Sequence, residues 1–74
     1  MDVLEKQRQI GLKIAYFRRL ARLNQWDMSN ALGVTTTWIS LIERGHFRVS
    51  TELLMRIAKV LNCNLEDFRS ENEE

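Results

Sequence analysis

Apolar side chains recur along this chain at helical rather than strand spacing. Ile10, Ile14, Phe17 and Ala21 stand at i, i+4, i+7 and i+11, one face of a helix, and predict a first helix from about Val3 to Arg22. Asn24 then offers a capping oxygen with Asp27 three residues on, the signature of a capping box. A short second helix follows, with Met28 and Leu32 inward, small Ser29 beside them, and Gly33 supplying the left-handed residue that stops it. Thr35 is the next N-cap candidate, Ile39 and Ile42 mark the buried side of a third helix, and Gly45 closes it. After a loop, "HFRV", Ser50 caps a fourth helix in which Leu54, Ile57, Ala58 and Leu61 align, with Asn62 suited to a left-handed close. Asn64 and Asp67 predict a second capping box, opening a fifth helix with Leu65 and Phe68 inward. The tail, residues 70–74, reads as frayed and disordered.

The expected fold is therefore all-α: five short helices in one domain over residues 1–74. Composition agrees, with no proline, three glycines and many strong helix formers. At 74 residues the chain lies near the lower limit for folding without staples. Cys63 is the only cysteine, so neither a disulfide framework nor a Cys-rich metal site is available, and His46 alone cannot anchor a metal. A free cysteine suits a reducing compartment, and we expect a cytoplasmic, nucleoid-associated protein. No apolar run approaches the roughly 20 residues of a membrane span, and "MDVLEKQRQ" is too polar for a signal peptide. No nucleophile–base pair or phosphate loop is present, which argues against an enzyme; no cofactor is expected.

Charge alters this picture only when it is divided along the chain. The net charge is +1, yet residues 1–23 carry six cationic side chains against two acids, and residues 51–74 carry three against six. A basic half and an acidic half suit a polyanion on one face.

Residues 25–44 hold the informative motif: two short helices joined at Gly33, the second entered through a threonine cap, describe a helix-turn-helix. Ser29 allows the second helix to cross closely, and Ile39 and Ile42 anchor that helix to the core. Thr36, Thr37, Ser40 and Leu41 face away from it. The stretch "LNQWDMSNALGVTTTWISLIERG" resembles the Cro/repressor (Xre-like) class of bacterial and phage transcription regulators. The likeness extends upstream through "IGLKIAYFRRLARLNQ" and downstream through "LLMRIAKVLNCNLEDF".

That resemblance implies a DNA-binding regulator whose third helix enters the major groove of double-stranded operator DNA. Thr36, Thr37, Ser40 and Leu41 would contact bases, their hydroxyls donating or accepting and their methyl groups packing on thymine. Gln25, Trp38, Arg44, His46 and Arg48 would meet the sugar–phosphate backbone. Arg18 and Glu43 hold the positions of a family ion pair linking helix 1 to the recognition helix, a structural role. A homodimer on a palindromic operator follows from the need for two half-sites. The Arg48–Val49 loop with the last helix is the expected interface.

Several residues keep two readings. Trp38 lies against the DNA backbone or packs between the first and third helices. Trp26 pads the DNA backbone or covers the core edge, the latter favoured. Leu65 and Phe68 are core or dimer contact, Cys63 is core filler before redox sensor, and Lys13, Arg19 and Arg22 are largely solvated surface. The expected role is a repressor or autoregulating controller, of phage or restriction-modification type. The alternative is an antitoxin-type module that binds a protein, with a toxin or polymerase as candidate partner.

Overall fold

The structure is a computed structural model that describes residues 2–69, so the expectation for residues 70–74 lies outside the described residues. The chain forms α1 (Val3–Leu20), α2 (Gln25–Leu32), α3 (Thr36–Glu43), α4 (Thr51–Leu61) and a single 3₁₀ turn (Leu65–Phe68), with no strand among the described residues. No helix among them is long and apolar enough to cross a membrane.

Each helix starts where a short polar side chain replaces the missing intrahelical acceptor. Asp2 accepts from the Glu5 N–H at 2.8 Å, Asn24 from Asp27 at 2.7 Å, Thr35 from Trp38 at 3.1 Å and Ser50 from Leu53 at 3.1 Å. Asp27 returns the bond to the Asn24 N–H at 2.9 Å and completes the capping box.

The ends are equally regular. All four α-helices close on a residue with positive φ: Arg22 (61°), Gly33 (73°), Gly45 (79°) and Asn62 (56°). In each case the next residue's N–H reaches back five positions, Leu23 to Arg18, Val34 to Ser29, His46 to Leu41 and Cys63 to Ala58. This bond satisfies a terminal carbonyl and turns the chain sharply. Leu23, Val34 and Cys63 then fold back onto the core.

Two expectations are corrected. The first helix ends at Leu20 rather than Arg22, because Arg22 takes the left-handed closing conformation and sends Leu23 under the helix. The fifth helix is one 3₁₀ turn, too short for α-helical bonding; it seats Phe68, fully buried, edge-on to Phe17 with ring centroids 5.4 Å apart. Around Phe68 the core gathers Ile14, Met28, Leu32, Ile39, Ile42, Leu54, Ile57, Ala58 and Leu61, drawing on every helix.

α1 crosses α3 where Gly11 lies on the last turn of α3. A Cβ at Gly11 would stand 2.5 Å from the Ile42 carbonyl oxygen and 2.6 Å from that of Glu43. Only a residue without a side chain permits this approach, and two turns along the same face of α1 Arg18 meets Glu43.

Candidate nucleic-acid interface

α2 and α3 are joined by the turn Gly33–Thr35, and Ser29 is buried where they meet, its hydroxyl donating to the Trp26 carbonyl at 2.7 Å. The inner side of α3 is a polar lock within an apolar floor. Arg18 and Glu43 are only 7 % and 8 % exposed. Arg18 Nε donates to Glu43 Oε2 at 2.6 Å and its terminal nitrogen to Oε1 at 3.1 Å, a bidentate pair. The third arm of the guanidinium donates to the Leu23 carbonyl at 2.8 Å, and Gln25 Nε2 donates to Glu43 Oε1 at 3.1 Å. One carboxylate thus ties α1, α2 and α3 together. No buried side-chain nitrogen or oxygen among the described residues lacks a partner. Such a pair resists loss of either member, since the remaining charge would be stranded in a low-dielectric site.

The outer side of α3 is different. At about 100° per residue, Thr37, Leu41 and Arg44 fall opposite Ile39 and Ile42, with Thr36 and Ser40 on one flank and Trp38 on the other. Thr37 and Arg44 are exposed; Thr36, Ser40, Leu41 and Trp38 are half-buried. Arg44 Nε reaches the Ser40 carbonyl at 3.4 Å, leaving the rest of its guanidinium at the surface. Gln25 opens α2, and the hydrogen bond to Glu43 uses one of its two amide N–H groups. His46 and Arg48 are exposed on the loop after α3, which Gln7 holds by donating to the Gly45 carbonyl at 3.1 Å. Trp38 packs against the core with one edge and faces the Phe47 ring with the other, centroids 6.5 Å apart and planes tilted 30°. Trp26 is 64 % exposed, most of its indole lying at the surface.

Sequence reading missed four residues here: Gly11, Gln7, Phe47 and Arg56. Arg56 donates to the Leu32 carbonyl at 2.8 Å and so closes the end of α2 from α4. Gly11 did carry a signal, since an interior glycine costs a helix about 1 kcal/mol relative to alanine and calls for a packing reason. Cys63 is half-buried with its thiol on the Leu61 carbonyl; burial first, then the Asp67 carboxylate, push its pKa up, which makes it a poor nucleophile.

Helices arranged in this way are found in known regulators. The helix-turn-helix family model matches residues 14–68. An uncharacterised HTH-type transcriptional regulator of Methanocaldococcus jannaschii is 38 % identical over 56 residues, 76 % of this chain and 85 % of that protein. The ImmF control region 10 kDa protein of Bacillus phage phi105 is 38 % identical over 58 residues, 78 % of this chain but 64 % of the phage protein, so the match spans just under two thirds of its length. The crystal structure of the clp gene regulator ClgR from C. glutamicum superposes with a TM-score of 0.81 at 25 % identity, covering 85 % of this chain and 82 % of that one. The fold and the motif define a class, helix-turn-helix transcriptional regulators, which are not enzymes. This chain belongs to that helix-turn-helix family, in its Cro/repressor (Xre-like) branch.

Proposed function

We propose that the chain binds double-stranded operator DNA as a homodimer and acts as a repressor or autoregulating controller in the cytoplasm, with α3 in the major groove of each half of a palindrome. The observation that carries this reading is the two-sided build of α3. Its inner side is braced by Arg18, Glu43 and Gln25, while the Thr36, Thr37 and Ser40 hydroxyls, Leu41 and the Arg44 guanidinium line the opposite side. In this reading Thr36, Thr37, Ser40 and Leu41 meet base edges. Hydroxyls discriminate less sharply than bidentate amide or guanidinium groups, so DNA shape carries part of the specificity. Gln25, through its second amide N–H, and Trp38, Arg44, His46 and Arg48 contact the backbone and set register. Phe47 backs the Trp38 ring.

The dimer seam is proposed at the loop after α3 and the 3₁₀ turn. There Val49, Leu54, Leu65 and Phe68 line a half-open cleft of about 320 Å³ rimmed by Arg48 and Arg69.

Selection of bound duplexes from a random-sequence pool tests the reading. The expected product is a palindrome with half-sites about 10 base pairs apart, bound with steep salt dependence. Recovery of unrelated sequences, together with a tightly co-purifying protein, would instead favour the protein-binding alternative.

A further inference from the structure

We propose that Arg8, in the first turns of α1, is a further contact for a DNA backbone phosphate, held in place by Gly45 at the end of α3; the inference rests on the DNA-binding reading above. The family model begins at residue 14, so these turns precede the matched region. They are nonetheless seated on the end of α3. Gln7 donates to the Gly45 carbonyl at 3.1 Å. Arg8 lies on the same glycine: a Cβ at Gly45 would stand 2.8 Å from the Arg8 Cα and 2.9 Å from its Cγ. Two consecutive residues of α1 thus grip one residue at the end of α3. Since consecutive Cα atoms stand about 3.8 Å apart, the Arg8 side chain starts within about 8 Å of both the Arg44 and the His46 Cα.

The surroundings of Arg8 are rich in cations and poor in acids. Arg8, Arg44, His46 and Arg48 are all exposed. Among the described residues the side chains of Arg8, His46 and Arg48 make no hydrogen bond or ion pair, and that of Arg44 makes only the bond to the Ser40 carbonyl. Glu5, one turn before Arg8, is exposed and does not pair with it. Packing on Gly45 restrains the Arg8 stem while its guanidinium keeps every donor free, which suits an anion at a fixed place. That anion is a phosphodiester, because Arg8 stands where the outer side of α3 passes into the loop of His46 and Arg48, the flank assigned above to the DNA backbone. α1 then touches DNA through a residue that the helix-turn-helix motif does not contain.

The test measures affinity against salt concentration for the selected duplex and for a mixed-sequence duplex of equal length. Arg8→Ala is compared with Arg19→Ala, an exposed position further along α1 that removes the same charge. Arg8→Ala is expected to weaken both duplexes alike, about threefold or more, and to lower the salt slope by about 0.9 for each chain bound. Arg8→Lys should restore most of this, and Arg19→Ala should leave the slope in place. Replacing single phosphates of the selected duplex by neutral methylphosphonate locates the contact. One position in each half-site should weaken the parent and the Arg19→Ala protein but not the Arg8→Ala protein. Thermal melts check that each variant is folded. Equal slopes and equal methylphosphonate profiles for Arg8→Ala and Arg19→Ala would overturn the Arg8 contact while leaving DNA binding intact. A parent chain that binds neither duplex would overturn the DNA-binding reading itself, and this contact with it.

Discussion

The two sides of α3 and its C-cap Arg44 serve opposite purposes. On the inner side every polar group is committed: Glu43 accepts from Arg18 and Gln25, and its backbone lies under Gly11. On the outer side Thr37 and Arg44 lie in water, with Thr36, Ser40 and Leu41 beside them. The inner side determines where the helix sits, and the outer side determines what it can touch. Substitutions should therefore separate by readout: inner changes move stability, and outer changes move binding while the melt stays in place.

The sharpest break in this contrast is at Glu43. Glu43→Gln leaves the Arg18 charge buried without its counter-ion and is expected to cost about 3–5 kcal/mol in urea unfolding. Replacing both partners, Arg18→Met with Glu43→Leu, should recover much of that, since no stranded charge remains. A Glu43→Gln protein as stable as the parent would show that the lock is not structural.

Gly11→Ala should follow. Its methyl would meet two carbonyl oxygens of α3 rather than a flexible side chain, so α1 must move, at an expected cost of about 1–3 kcal/mol. In a domain of this size that corresponds to roughly 4–8 °C of Tm per kcal/mol. An unchanged melting temperature would place the α1–α3 crossing further apart than described.

On the outer side, Thr36→Ala combined with Thr37→Ala is expected to weaken selected-operator binding about tenfold or more. Unfolding stability should shift by no more than about 0.5 kcal/mol. Loss of stability without loss of affinity would reverse the assignment of the two sides. The smallest effect concerns Cys63, whose raised pKa lowers its thiolate fraction. Iodoacetamide at mildly alkaline pH should modify it more slowly than a free thiol in a short peptide, with the rate rising as pH increases. A rate matching the peptide would argue that the thiol is neither buried nor perturbed.

The parts of the molecule legible in advance were those governed by neighbours in sequence. A cap needs one oxygen within three residues of an unpaired N–H, so Asn24, Thr35 and Ser50 could be identified without knowing what lies across the core. The same holds for Gly33, Gly45 and Asn62, whose chemistry favours the left-handed close. Arg22 was not legible, because arginine has no such preference. It adopts positive φ where Leu23 turns under the helix and the Arg18 guanidinium reaches the Leu23 carbonyl. Ile39 and Ile42 showed the buried side of α3 by periodicity, and the opposite side could be read by subtraction. Which of its side chains lie fully in water could not, since that depends on how α2 and the Phe47 loop pack around it.

Local chemistry in this chain therefore settles where helices begin and end, which stripe of each is apolar, and which motif the central pair forms, because each of these rests on interactions over three to five residues. The folded molecule alone decides the rest. The Gly11 approach brings two backbones together across about 30 positions, Arg56 closes α2 from 24 residues away, and Gln25 adds α2 to the Arg18–Glu43 pair that the family resemblance had named. Leu65–Phe68 becomes a single tight turn seating one ring in the core. Such contacts arise only once chain segments remote in sequence share the same few ångströms, and no periodicity or composition encodes that proximity.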